Sequence, residues 1–267
     1  MNYMNMSTKL KFNYIALNNA PEQSKILFES GIQQIMVDTE ILGKVDRQKH
    51  KNTVISNHEI EDVRILKQSG VKAQIICRVN PYHQKIFSEI EKIITMGADS
   101  IMLPMISSLD YYKEMVDFID SRVNIIPLIE TPYSFFKLDD ILKYKKLEQI
   151  HFGLNDLSIS LGMKNLFEIL FSKPFSTIVK EVSKEVDLLG IGGVGTPMEK
   201  QIVDPILIFK KMRSLGANSV ILSRSFFKNG YNKDIHSKSL LQLEQDVDNF
   251  STYEEESLFN QIKSFSN

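Results

Sequence analysis

The sequence predicts a (β/α)₈ barrel followed by a C-terminal helical extension. Three observations carry that expectation: a recurring helix–glycine–strand unit, eight apolar runs of strand length, and no strongly Pro/Gly/Ser-rich linker between them. The unit appears as ESGIQQIMVD, QSGVKAQIICRVN, TMGADSIMLP and SLGANSVILS, the last two being near-copies. Glycine ends helices because it accepts the left-handed conformation. Its repetition between an amphipathic stretch and an apolar run therefore means alternating α and β elements on a parallel sheet. Eight such units in about 230 residues fit a closed barrel better than an open doubly wound sheet.

In chain order, strands are expected near 11–17, 33–38, 74–79, 99–103, 123–129, 148–153, 187–193 and 217–222. Between them the apolar period turns helical: Ile60, Val63 and Leu66 share one face, as do Ile86, Ile90, Ile93 and Ile94. Ser56-Asn-His-Glu59 reads as a capping box, and Asp204-Pro205 as an N-cap followed by proline at the first helical position. The barrel is expected over residues 1–235. Residues 236–267 continue as helix, with Leu240, Leu243, Val247 and Phe250 on one stripe and Leu258, Phe259, Ile262 and Phe265 on another. Thr252 and Glu255 read as the cap of the second segment. Two apolar stripes need cover, and a neighbouring subunit of a homo-oligomer is the expected one.

A formal net charge of -1 gives no basic field for nucleic acid or an anionic membrane. No apolar run approaches the roughly 20 residues of a membrane span, and the opening MNYMNMSTKLKFNYIAL lacks a signal-peptide layout. The single cysteine, Cys77, excludes an internal disulfide, so the expected compartment is the cytoplasm.

In a barrel of this kind the polar residues at the C-terminal ends of strands gather on one face. Here they are Asn18 and Asn19, Asp38 and Glu40, Arg78 and Asn80, Met105 after Pro104, Glu130, Asn155 and Asp156, the glycines 192, 193 and 195, and Ser223 and Arg224. Glu130 and Asp156 on adjacent strand ends offer hard oxygen ligands of the kind Mg²⁺ takes. No His–His or Cys-rich spacing suggests zinc. Arg78 can meet a substrate carboxylate with its planar fork. An acidic residue in such a place is otherwise a helix N-cap, and for Asp156 alone that alternative stays open.

Five segments, VDTEILGK (37–44), CRVNP (77–81), GADSIMLPM (97–105), PLIETP (127–132) and GLNDLSISLG (153–162), together resemble the HpcH/HpaI aldolase and citrate lyase β-subunit family of the phosphoenolpyruvate/pyruvate barrel superfamily. The resemblance implies a barrel whose last helix packs on a neighbouring subunit and a Mg²⁺ or Mn²⁺ cofactor. It also implies lysis or formation of a carbon–carbon bond next to a pyruvate or acyl-CoA enolate. It assigns Glu130 and Asp156 to the metal and Arg78 to the enolate. The backbone around Gly153, Leu154, Asn155 and Asp156 would grip the substrate carboxylate. The aldolase branch carries a histidine directly after the glutamate of strand two, where this chain has Ile41 after Glu40. Glu40 is expected to orient metal-bound water, and Arg47 or His50 to take part in proton transfer.

The expected substrate is a small 2-oxo acid with an acceptor the sequence does not name. Three rivals remain: an acyl-CoA ester lyase or thioesterase, with Lys44, Arg47 and Lys49 beside the nucleotide, a phosphoenolpyruvate-handling transferase on the same scaffold, and a non-catalytic barrel serving as a binding subunit. His151 is expected toward the floor of strand six, away from the catalytic face, and Cys77 toward the helices as a packing residue. GIGGVG (190–195) matches a dinucleotide fingerprint only formally, since Thr196-Pro197 follows rather than a helix opening at the glycines.

Overall fold

The structure, a computed structural model, describes residues 10–43 and 56–266. Eight parallel strands close into a barrel in sequence order: β1 (Asn13–Leu17), β2 (Gln34–Asp38), β3 (Gln74–Arg78), β4 (Ser100–Leu103), β5 (Asn124–Ile129), β6 (Gln149–Phe152), β7 (Leu188–Val194) and β8 (Ser219–Leu222). The helices around it are α1 (Pro21–Glu29), α2 (Ile60–Gln68), α3 (Ile86–Met96), α4 (Leu109–Ile119), α5 (Pro132–Phe136), α6 (Leu138–Tyr144), α7 (Leu154–Ser160), α8 (Lys173–Val182) and α9 (Pro205–Ser214). Two more follow the barrel, α10 (Lys233–Glu244) and α11 (Thr252–Ser266). All eight expected strands are present, each within two residues of its expected span.

Parallel strands covered on both faces are apolar throughout rather than alternating, and two separate cores result. Ile15, Met36, Ile76, Met102, Ile126 and Leu128 fill the lumen. The opposite strand faces, Cys77 among them, pack under the helices. An amide network closes the barrel floor: Gln34 Nε2 donates to the side-chain oxygens of Gln74 and Gln149, each at 3.0 Å. The glycines that mark the repeat do what their position requires. Gly97 ends α3 at φ 94° and Gly216 follows α9 at φ 99°.

Helix starts differ from the sequence expectation by small steps. Glu59, not Ser56, caps α2, in a reciprocal box with Asp62, which leaves the Ser56 hydroxyl to donate to Asp38 Oδ2 at 3.1 Å. Ser251, not Thr252, caps α11: its hydroxyl accepts from the Glu254 N–H, and Glu254 returns a bond to the Ser251 N–H. Asp204 caps α9 as expected, accepting from the Ile206 N–H at 2.8 Å.

Much of the tail's two apolar stripes is covered within the chain, while Phe259 stays 37% exposed. Leu240, Leu243, Val247, Leu258 and Ile262 are buried in the barrel's own outer core, so their burial does not call for a neighbouring subunit. Two lysines of α9 tie α11 down. Lys210 Nζ lies 2.7 Å from Glu254 Oε1, and Lys211 pairs with Glu255 while lying over the Phe171 ring. Among the described residues no helix is long and apolar enough to cross a membrane.

Candidate active site

The C-terminal mouth of the barrel gathers the strand-end residues. Glu130 follows β5 and is 3% exposed. Immediately after it, Thr131 caps α5: its hydroxyl accepts from the Ser134 N–H at 3.0 Å and donates to the Ile106 carbonyl at 2.6 Å. Glu130 Oε1 accepts the Met105 N–H at 3.0 Å. Met105 reaches that position with φ at +49°, a left-handed conformation that costs a non-glycine residue roughly 1–2 kcal/mol.

Asp156 stands in the first turn of α7, whose N-cap is Gly153. The open alternative for Asp156 thereby closes: it is not the cap. Gly153 is there because the strand ends approach closely. A β-carbon on it would lie 2.7 Å from Glu130 Cβ and 2.8 Å from Oε2. The absence of that side chain is what brings α7 and its carboxylate beside Glu130.

Arg78 ends β3 in register with Asp38 at the end of β2. Its Nε donates to Asp38 Oδ1 and its Nη2 to Oδ2, both at 2.8 Å, and Glu40 Oε2 lies 3.5 Å from Nε. Asp38 is in turn held by Ser56, which Arg224 Nη2 reaches at 2.8 Å. Asp38 was visible in the sequence only as one of several strand-end acids. Its role as counter-ion of Arg78 depends on strand register, and the signal that points to it is their shared place at adjacent strand ends.

Burial, then repulsion from Glu40 and Asp156, push the Glu130 carboxyl up to about 8 against the pull of Arg78 and the Met105 N–H. Burial alone would depress the Arg78 guanidinium, but Asp38, then Glu40 and Glu130, outweigh it and raise it, so the cation is permanent. Glu40, Arg78, Glu130, Asp156 and Asn155 border one cavity of about 410 Å³, large enough for a small acid. Crowded carboxylates beside a cavity, Glu130 among them with its raised pKa, fit a hard divalent cation, whose charge relieves the repulsion. Among the described residues no group of three or more His, Cys, Asp or Glu side chains is arranged to hold a metal. The donor set on offer is the pair Glu130 and Asp156, to be completed by water and substrate oxygens.

Arg47 and His50 lie outside the described residues, as do Lys44 and Lys49. Ile41 is 55% exposed, at the place where the resemblance would put a histidine. Cys77 is buried on the helix side with its thiol pushed up to about 12 by burial, which suits packing and not nucleophilic attack. His151 corrects the sequence reading. It is fully buried in the barrel, but it borders the cavity at the mouth rather than lying away from it, because Gly190 and Gly192 open the wall of β7 beside it.

Residues 14–170 match the HpcH/HpaI aldolase/citrate lyase family. A phosphoenolpyruvate carboxylase of Picrophilus torridus aligns at 22% identity over 91% of this chain, which spans 58% of that relative's length. Two solved structures share the fold. An HpcH/HpaI aldolase from Desulfitobacterium hafniense superposes with a TM-score of 0.54 at 16% identity, covering 80% of this chain and 86% of that one. An HpcH/HpaI aldolase/citrate lyase family protein from Burkholderia cenocepacia gives 0.60 at 13% identity, covering 80% and 88%.

Proposed function

This chain belongs to the HpcH/HpaI aldolase/citrate lyase family, and from that premise we propose that it is a divalent-metal-dependent carbon–carbon lyase acting on pyruvate or a similar small 2-oxo acid. The observation that carries the reading is the meeting of a fixed guanidinium, Arg78, with the carboxylate pair Glu130 and Asp156 at one small cavity in the barrel mouth.

Glu130 and Asp156 would hold Mg²⁺ or Mn²⁺. When bound, the cation supplies Lewis-acid polarisation of the substrate's keto and carboxylate oxygens. Arg78, oriented by Asp38, places positive charge where negative charge develops as the enolate forms. Its orientation is set before substrate arrives, so no reorganisation accompanies the step. The backbone around Gly153, Leu154, Asn155 and Asp156, at the start of α7, receives the substrate carboxylate. Glu40, buried beside Arg78, orients water at the same site. Proton transfer is assigned to the segment that carries Arg47 and His50.

An acyl-CoA ester would have to place its nucleotide outside a cavity of this size, and a binding-only barrel gives no reason for burying mutually repelling carboxylates. The test is exchange of the pyruvate methyl protons with solvent in the presence of Mg²⁺ or Mn²⁺. Asp156→Ala is expected to abolish exchange while leaving thermal unfolding unchanged. Undiminished exchange in that variant overturns the metal assignment.

A further inference from the structure

His151 points inward from β6, in register with Leu128, within a lumen otherwise filled by aliphatic and methionine side chains. It is fully buried, and neither ring nitrogen has a hydrogen-bond partner among the described residues. Buried polar groups in folded proteins are paired, with protein, water or ligand, because leaving one unpaired is unfavourable. Leucine, methionine or phenylalanine would fill the same space without that cost, so packing gives no reason for an imidazole here.

The barrel wall is shaped around the ring. A β-carbon on Gly190, its register partner on β7, would lie 2.0 Å from Nδ1, and one on Gly192 would lie 3.4 Å from Nε2. Since β7 runs from Gly190 to Gly192 toward the mouth, Nε2 is the mouthward nitrogen. The ring borders the same cavity as Arg78, Glu130 and Asp156. Burial, and after it the charge of Arg78, push the imidazole down to about 3, so it is neutral, with one N–H donor and one acceptor nitrogen.

We propose that His151 is a substrate-contacting residue that forms the floor of the site and hydrogen-bonds, through Nε2, an oxygen of the acid held between Arg78 and the Glu130–Asp156 pair. The proposal rests on the 2-oxo acid reading given above and sharpens it. Substrates with an oxygen at the end facing the lumen complete the bonding of the imidazole, while an alkyl group in that place leaves it unsatisfied. His151 is thus a specificity determinant, one layer deeper in the barrel than the charged groups of the mouth.

The experiment uses the full chain with Mg²⁺ and ¹⁵N-labelled histidine, titrated with pyruvate and separately with oxalate. The Nδ1 and Nε2 resonances of His151, assigned by their loss in His151→Gln, are followed to saturation. They are expected to shift with the same midpoint as methyl-proton exchange. His151→Phe is expected to raise KM for exchange about tenfold with a smaller change in kcat, the size of one neutral hydrogen bond. His151→Gln, which restores a donor and an acceptor, is expected to recover most of that loss. Resonances of the parent protein that stay fixed at saturation, while exchange proceeds and still requires Asp156, overturn the contact and leave His151 a packing residue. A parent chain that neither binds nor exchanges pyruvate overturns the 2-oxo acid reading itself, and this contact falls with it.

Discussion

Arg78 and Asp38 face each other from the ends of β3 and β2 through two hydrogen bonds of 2.8 Å each, a fork-to-carboxylate pair with the acid fully buried. The pair fixes the plane of the guanidinium at the barrel mouth, which a lone arginine could not do for itself.

Removing Asp38 takes from a buried cation its two short hydrogen bonds and leaves Glu40, 3.5 Å away, as the near counter-charge. Asp38→Ala is expected to destabilise the chain by about 3–5 kcal/mol, read as a lower denaturant midpoint. Adding Arg78→Met should restore part of that loss, because the poorly compensated charge is gone. Equal stability of the single and double variants would show that the pair is not coupled.

Cation binding should depend on the two carboxylates separately. Glu130→Gln is expected to weaken Mn²⁺ binding by more than about 100-fold, since even outer-shell changes at metal sites cost 10–100-fold. Titration calorimetry or the Mn²⁺ spin-resonance signal reads this directly. Parental affinity in the glutamine variant would remove Glu130 from the site.

The raised Glu130 carboxyl predicts a pH dependence with a definite sign. Its folded-state value, about 8, exceeds the ordinary carboxylate value of the unfolded chain. The folded chain therefore holds the proton more tightly, and stability falls as pH rises from that ordinary range through 8. Without divalent cation, the urea midpoint of the parent should drop over this window more than that of Glu130→Gln. Mn²⁺, which binds the ionised form, should reverse the trend. Parallel curves for the two proteins would contradict the assignment.

Gly153 has no room for a side chain. Gly153→Ala pushes a methyl group against Glu130 Cβ and Oε2, at 2.7 and 2.8 Å before relaxation, and is expected to cost about 1–3 kcal/mol. Because the atom that must yield is the proposed ligand, Mn²⁺ affinity should fall with stability. Unchanged affinity would show that Glu130 can move without losing the site.

Most of the barrel was legible because its signal is local. A glycine after an amphipathic stretch and before an apolar run marks a helix end and a strand start within one short window, and Gly97 and Gly216 sit where that pattern puts them. Glu130, Asp156 and Arg78 were legible for a related reason, as strand ends point to one face whatever the register. Three features needed the third dimension. Pairing of Asp38 with Arg78 is a matter of register between strands 40 residues apart. The depth of His151 beside the cavity depends on Gly190 and Gly192 of the neighbouring strand. Cover for the tail depends on which surface its stripes meet, and apolar periodicity says only that they meet one. The caps missed by small steps have separate reasons: the Ser56 hydroxyl is taken by Asp38, leaving the Glu59 carboxylate to cap its helix, and at Thr252 the neighbouring Ser251 hydroxyl wins.

Lys210 and Lys211 are 8% and 7% exposed on the outer wall of the barrel, and the acids that neutralise them arrive on α11, some 44 residues later. Glu254, drawn down to about 2 by its bond from Lys210, stays ionised well into acid. The last helix is therefore the counter-ion of the wall it covers. Cutting the chain before Thr252 would strand two ammonium groups on an apolar surface, so the outer wall and the last helix form a single electrical unit.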